Sequence, residues 1–313
     1  MKKESILSAA GSEITLLFLL AFISSLLISC GNGSEQGGED GDGSEDTTAD
    51  SESGNQFKVK KTDKVFYTIP SPIEVSALLK RSGATYKKDI LNDPARYSKY
   101  ATTPSMALNL GIYGADLSFT TMFEQTQETM VYLSCVKKLA DKLGITSNVN
   151  QELLSRVEKS IDNRDSLVQI ISDYYWESDA YLKENRQSST AALVIAGGWV
   201  EGIYIATKLV QTTTNREIIG RVGEQKMSLN NLIALLESYR AEDSNVLPWI
   251  EELVKLRDSF EGVEIRYTRD EPITDAKTQT TTITTVSTVS INDEQFAKIA
   301  ANVETIRTKI INL

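Results

Sequence analysis

The chain has 313 residues, with 33 Lys and Arg against 43 Asp and Glu, a formal net charge of −10 and no histidine. The lack of a basic excess argues against nucleic-acid binding. The lack of histidine excludes His-based triads, His-ligated zinc or haem, and the Glu-x-x-His di-iron pattern of helical bundles; with no P-loop and no GxGxxG run either, no cofactor and no metal is expected.

Lys2 and Lys3 precede an apolar run from Ile14 to Ile28, which ends in Leu27-Ile28-Ser29-Cys30. A charged start, an apolar stretch and small residues before a cut site are the features of a secretory signal. With a cysteine directly after the cut, the stretch resembles a bacterial lipoprotein signal, in which Leu27, Ile28 and Ser29 match the lipobox. The resemblance implies a signal peptide over residues 1–29 and lipidation of Cys30, so that the membrane is reached through lipid on that residue. An ordinary signal peptide or a signal anchor is the other reading of the same run. Each buried lipid methylene stabilises attachment by ~0.8 kcal/mol, and one chain alone holds only marginally whereas several hold firmly.

Gly31 to Gly54 contains seven glycines, four serines and eight acids, with no Lys, Arg or large apolar residue. Such a segment cannot bury enough apolar surface to offset its ordering entropy, so residues 30–55 are expected to form a disordered acidic tether. Its eight acids account for most of the net charge. A Gly-rich chain of this length reaches roughly 25 to 30 Å, and self-repulsion extends it. An acidic run after a lipidated cysteine also resembles the export signal of lipoproteins of the Bacteroidota. That likeness implies the cell envelope, with the outer membrane favoured and the periplasmic or surface-facing side left open.

Residues 56–313 are long enough for a folded unit with a proper core. Ser71-Pro72-Ile73-Glu74 is a capping box that opens a helix running to Arg81 before Gly83. Asn92-Asp93-Pro94 starts a short helix. Thr103-Pro104 begins a long helical region that Gly144 stops, with Gly111 and Gly114 as candidate kinks. Within it Cys135, beside Val136 and Leu139, reads as a buried small apolar residue. Gln151 to Glu184 reads as one helix on a near-heptad series of Leu154, Val157, Ile161, Val168, Ile171, Tyr175 and Leu182. After Gly220 and Gly223, Leu229 to Tyr239 and Trp249 to Phe260 form two amphipathic helices. Val263, Ile265 and Tyr267 then alternate with polar residues at strand spacing. A β-hairpin is expected near 263–291, with a turn at Asp270-Glu271-Pro272 and a second arm rich in Ser and Thr. Asn292 or Ser290 caps a last helix whose apolar face is Phe296, Ile299, Val303, Ile306 and Ile310. The expected fold is mainly α, a multi-helix bundle with a small C-terminal β-hairpin and a final helix.

Thr190 to Val210 is apolar on every face apart from Glu201 and Lys208, so a helix made from it must be wrapped by others. A membrane span is the alternative, although the uncharged run before Glu201 falls short of the ~20 residues a crossing needs. Small residues recur four apart at Gly198, Gly202 and Ala206, and again at Ala107, Gly111 and Ala115. If the two strips face each other, two helix backbones approach closely. Gly111-Ile112-Tyr113-Gly114-Ala115 also echoes Gly202-Ile203-Tyr204-Ile205-Ala206, by duplication or by convergent packing. The run Ala107 to Leu117, ALNLGIYGADL, resembles uncharacterised helical lipoproteins of the Bacteroidota. That family brings no catalytic residues.

Three residues stand out as possible ligand-binding groups: Asp116, Glu201 and Trp176. The two acids would be a pair with perturbed pKa values at a cleft, or each would face water or a lysine. Trp176, off its helix's heptad stripe, would be exposed for sugar or protein contacts, or covered by a second neighbour. No catalytic residue is assigned. The composition and signal point to a non-catalytic binding or scaffold component of the bacterial envelope, with other envelope proteins as candidate partners. A ligand-binding sensor or uptake accessory protein is the alternative. A carboxylate-only hydrolase ranks third and needs two carboxyl groups about 5 to 9.5 Å apart in a cleft.

Overall fold

A computed structural model describes residues 69–145 and, from 152 to 313, all but 154, 158, 162, 214, 270–272, 276–279 and 283–284. The signal peptide, lipobox, Cys30 and tether assigned to residues 1–55 lie outside the described residues, as does Leu154 of the heptad series.

Eight helices in chain order carry most of the described fold: α1 Pro72–Arg81, α2 Thr103–Met122, α3 Thr126–Lys142, α4 Arg164–Glu184, α5 Ser188–Thr213, α6 Arg216–Glu237, α7 Leu247–Ser259 and α8 Asp293–Ile311, with further helical residues at 152–153, 155–157 and 159. Two 3-10 turns, Lys88–Ile90 and Pro94–Lys99, join α1 to α2. Strands β1 Glu264–Arg269, β2 Ile273–Asp275, β3 Thr280–Thr282 and β4 Thr285–Ser290 separate α7 from α8. The chain is therefore the expected helical bundle with a C-terminal hairpin and a final helix.

The caps are local chemistry. The Ser71 N–H and hydroxyl both donate to the Glu74 carboxylate, at 2.7 and 2.8 Å, with Pro72 at the first helical position. Asn292 and Gln295 cap each other reciprocally at the start of α8. Gly83, Gly144 and Gly262, each with φ near +80°, end α1, α3 and the turn after α7.

The centre is α5, packed against α1, α2, α4, α6 and α8. Among the described residues, Ser188–Val210 is the one helix long and apolar enough to cross a membrane, yet 89% of its apolar window is buried by the other helices. It is the core helix of the bundle. Its closest neighbour is α2, because glycine removes the side chains that would hold the axes apart. A Cβ on Gly111 would overlap the Val194 carbonyl and lie 2.5 Å from the Gly198 nitrogen, and one on Gly197 would overlap the Leu108 carbonyl. The two small strips thus meet, but only in part. Gly202 faces Val75 of α1 instead, and the deepest contact belongs to Gly197, which lies off the strip. The two GIY runs play different parts: the Tyr113 hydroxyl bonds the Asp93 carbonyl at 2.8 Å, whereas Tyr204 lies under an arginine.

Several expected boundaries are corrected. The region from Thr103 to Leu143 is two helices, not one. It breaks at Phe123 to Gln125, where Glu124 sits at φ 60°, and it runs unbroken through Gly111 and Gly114. The single helix over 151–184 is interrupted before Asn163, whose side chain caps α4 by accepting the Ser166 N–H at 3.0 Å. The face of α4 that is buried is Leu167, Ile170, Ile171, Tyr174 and Leu182. Helix α6 starts at Arg216, not near Leu229, and carries Gly220 and Gly223 inside it. Gly223 is there for packing, since a Cβ would come 2.5 Å from Val289 of β4.

β1 pairs antiparallel with β4 from Glu264↔Ser290 to Arg269↔Thr285, and β2 pairs with β3 from Ile273↔Thr282 to Asp275↔Thr280. Between the two ladders the first arm advances one residue more than the second, so they are out of step by one. The turn expected at Asp270-Glu271-Pro272 lies outside the described residues, and the antiparallel pairing is seen again past it, from Ile273↔Thr282 to Asp275↔Thr280. The root of the hairpin is fastened to α6, where Lys226 donates to the Val263 carbonyl at 2.8 Å.

Candidate functional site

Asp116 comes from α2, Glu201 from the middle of α5 and Arg307 from α8, and the three meet in the core. Both acids are fully buried and Arg307 is 7% exposed. Arg307 grips Glu201 with two bonds, Nε to Oε2 at 2.7 Å and Nη2 to Oε1 at 2.9 Å. This is the fork geometry in which guanidinium and carboxylate match best. Nη2 also donates to the Ile90 carbonyl at 3.3 Å, and the guanidinium lies 4.1 Å from the centre of the Tyr204 ring. Nearby, the Asn109 amide donates to the Ile310 carbonyl at 3.0 Å and Lys208 pairs with Glu304 at 2.8 Å, so α8 is locked to α2 and α5 by polar contacts as well as apolar ones.

Asp116 is the third partner. Its Oδ2 accepts the Asn92 N–H at 3.2 Å, while no donor faces Oδ1. Burial and then the charge of Glu201 push its pKa well above the usual carboxylate value, outweighing the pull of Arg307 and of the Asn92 N–H. A proton on Asp116 resolves the geometry, because it gives the acid a hydrogen bond to the neighbouring Glu201 carboxylate. The cluster is then one anion, one cation and one neutral acid, with no net charge left in the core. Arg307 stays firmly charged: burial pulls its pKa down, and the Glu201 charge and hydrogen bonds more than offset that. The Tyr204 hydroxyl is pushed up by burial, with Arg307 and Lys208 pulling against it.

Behind Asn92 lies a wall of tyrosines. The Tyr132 hydroxyl donates to the Asn92 carbonyl at 3.0 Å, the Asn92 amide reaches the Tyr100 oxygen at 3.4 Å, and the Tyr100 hydroxyl donates to the Ile311 carbonyl at 3.4 Å. Cys135 is buried beside it, as its sequence context suggested, and burial pushes its thiol up to about 11. A thiol of that kind is unreactive.

Asp116 and Glu201 are thus brought together, but in a closed cluster and not at a cleft, and neither faces water or a lysine. Trp176 is not part of this cluster: it sits on α4, 39% exposed, edge-on to Tyr175. Arg307, Tyr204 and Asn92 were missed. Arg307 could have been found, since it follows Val303 by four and precedes Ile310 by three on the apolar stripe of α8. A charge at such a position needs a buried counter-charge. Among the described residues, no three His, Cys, Asp or Glu side chains are placed to hold a metal ion.

The raised Asp116 pKa makes a prediction about stability. An acid whose folded pKa lies above its unfolded value of about 4 contributes most below that pH. The contribution is lost as pH rises toward the folded value, at up to ~1.4 kcal/mol per unit. Chemical denaturation of the natural chain and Asp116→Asn across the mildly acidic to mildly alkaline range is expected to show the variant losing less stability with rising pH. Parallel curves would mean that Asp116 carries no proton in the fold.

Comparison with protein families, with curated proteins and with solved structures finds no match to this chain.

Proposed function

We propose that this chain is a lipid-anchored, non-catalytic binding or scaffold component of the bacterial cell envelope, held by lipid on Cys30 and carried off the membrane by an acidic tether. The observation that carries this reading is the run Leu27-Ile28-Ser29-Cys30, set between a Lys-led apolar stretch and a segment of eight acids without a base. The cluster at Glu201 supports it indirectly. Two carboxyl groups enclosed by three helices, one of them gripped by Arg307, are not offered to a glycosidic bond, which needs its acid pair in an open cleft. Partners are other envelope proteins, and the outer membrane is the favoured location.

Fractionation of cells expressing the natural chain and Cys30→Ser tests the anchor. The natural chain is expected in the membrane fraction and the variant in the soluble fraction. A variant that stays in the membrane would overturn the lipid anchor in favour of an uncleaved signal anchor. Protease added to intact cells then assigns the face, with cleavage expected only where the tether presents the bundle outward.

A second reading, a ligand-binding sensor or uptake accessory protein, is favoured by one feature: an apolar cavity among α2, α4 and α5.

A further inference from the structure

The start of α1 and the flanks of α2, α3, α4 and α5 line a cavity of about 60 Å³, partly open to solvent. Its walls are Leu110, Leu117, Val136, Ile171, Leu182 and Ile195. It exists because α2 carries glycine where a bundle helix would ordinarily carry a filling side chain. Gly114 is half-buried, and a Cβ built on it meets nothing within 4 Å. That is the opposite of Gly111 one turn earlier, whose missing Cβ is required by the α5 backbone.

Several of the polar groups around this space bond to protein. The Ser118 hydroxyl donates to the Gly114 carbonyl at 2.8 Å, and the Ser71 hydroxyl is engaged by Glu74 at 2.8 Å. Asp179 Oδ2 is paired with Lys183 at 2.8 Å, while Ser178 Oγ and Asp179 Oδ1, both on α4, are buried without a hydrogen bond; away from these two atoms the lining is apolar. A buried water needs two to four polar partners, and apolar cavities without them stay dry and take up apolar molecules. Such a lining suits an alkyl group and disfavours a sugar, whose hydroxyls would find few partners there.

From this lining and opening we propose that the cavity beside Gly114 is a binding site for the short uncharged alkyl end of a small molecule. The rest of that molecule leaves through the open side of the cavity. The site supplies substance to the ligand-binding reading and is independent of the anchor, so Cys30→Ser is expected to leave it unchanged. Failure to bind and failure to anchor therefore read separately.

The test uses the full-length chain, titrated with straight-chain alcohols from ethanol to pentanol. It is followed through the methyl resonances of Leu110, Val136 and Ile195. Saturable shifts confined to these walls are expected. Affinity should tighten about fourfold per added methylene, the equivalent of ~0.8 kcal/mol each, until the alkyl chain outgrows the space. Gly114→Leu fills the cavity and is expected to abolish the shifts. Should that variant fail to fold, Gly114→Ala, which adds one methyl group to open space, is expected to weaken binding severalfold. Shifts that do not saturate, or that persist unchanged in the folded Gly114 variants, would overturn the site.

Discussion

Arg307→Met is expected to lower the stability of the fold by about 3 to 5 kcal/mol, the range for removing one partner of a buried ion pair. The substitution keeps most of the apolar stem and deletes both bonds to Glu201, leaving a carboxylate with no exposure and no cation. Since a domain has in all about 5 to 15 kcal/mol of stability, the variant should denature at a much lower denaturant concentration or express poorly. The loss belongs to the stranded charge and not to the missing guanidinium. Combining it with Glu201→Gln should therefore recover much of the stability, because the amide is neutral and still accepts the Asp116 proton. Midpoints of chemical denaturation for the two single variants and the double variant check this. Additive losses would show that Arg307 and Glu201 act separately.

Gly197→Ala is expected to be nearly as damaging. Alanine is the better helix former by about 1 kcal/mol, so on propensity alone the change should help. At Gly197, however, the new methyl group would occupy the space of the Leu108 carbonyl, and backbone cannot swing aside as a side chain can. Overpacking typically costs about 1 to 3 kcal/mol and occasionally more, and a clash with the partner helix itself belongs at the upper end, for a net loss of about 2 kcal/mol or more. Gly114→Ala is the control on the same pair of helices, where the methyl group enters open space and a gain is expected. Thermal denaturation of the two variants side by side distinguishes them. Equal behaviour would mean that α2 and α5 do not touch through their backbones.

These two residue classes also mark how far the sequence could be read. Apolar periodicity located α1, α7 and α8 because each presents a stripe bounded by a chemical signal, Ser71 with Glu74, Pro248 with Gly262, and Asn292 with Gln295, whereas α5 was located by being apolar on every face. The small-residue strips announced a close approach of α2 and α5, and the approach is there. Spacing alone could not tell which glycine makes it, since Gly197 and Gly198 are equally small and only their angular position against α2 separates them. The breaks that were missed lack a glycine. Glu124 turns the chain at φ 60°, a conformation usually reserved for glycine or asparagine, so composition carried no warning there. Conversely Gly220 and Gly223 read as a helix stop, although Gly223 is held inside α6 by the hairpin that packs on it.

The candidate site was legible by half. An acid in an apolar helix must be neutralised, so Glu201 and Asp116 were identifiable as residues with partners. The nature of the partner was not, because Arg307 is 106 residues beyond Glu201 and only the fold joins them. Trp176 shows the limit in the other direction: an exposed aromatic is conspicuous in sequence, yet the structure gives it a neighbour in Tyr175 and no place in the cluster.

The most direct test of the lipid anchor is the mass of the N-terminal peptide of the mature protein, taken from the membrane fraction of cells that express it. A chain that begins at Cys30 and carries covalent acyl mass on that residue is expected. A mature chain that begins elsewhere, or that begins at Cys30 without lipid, would contradict it.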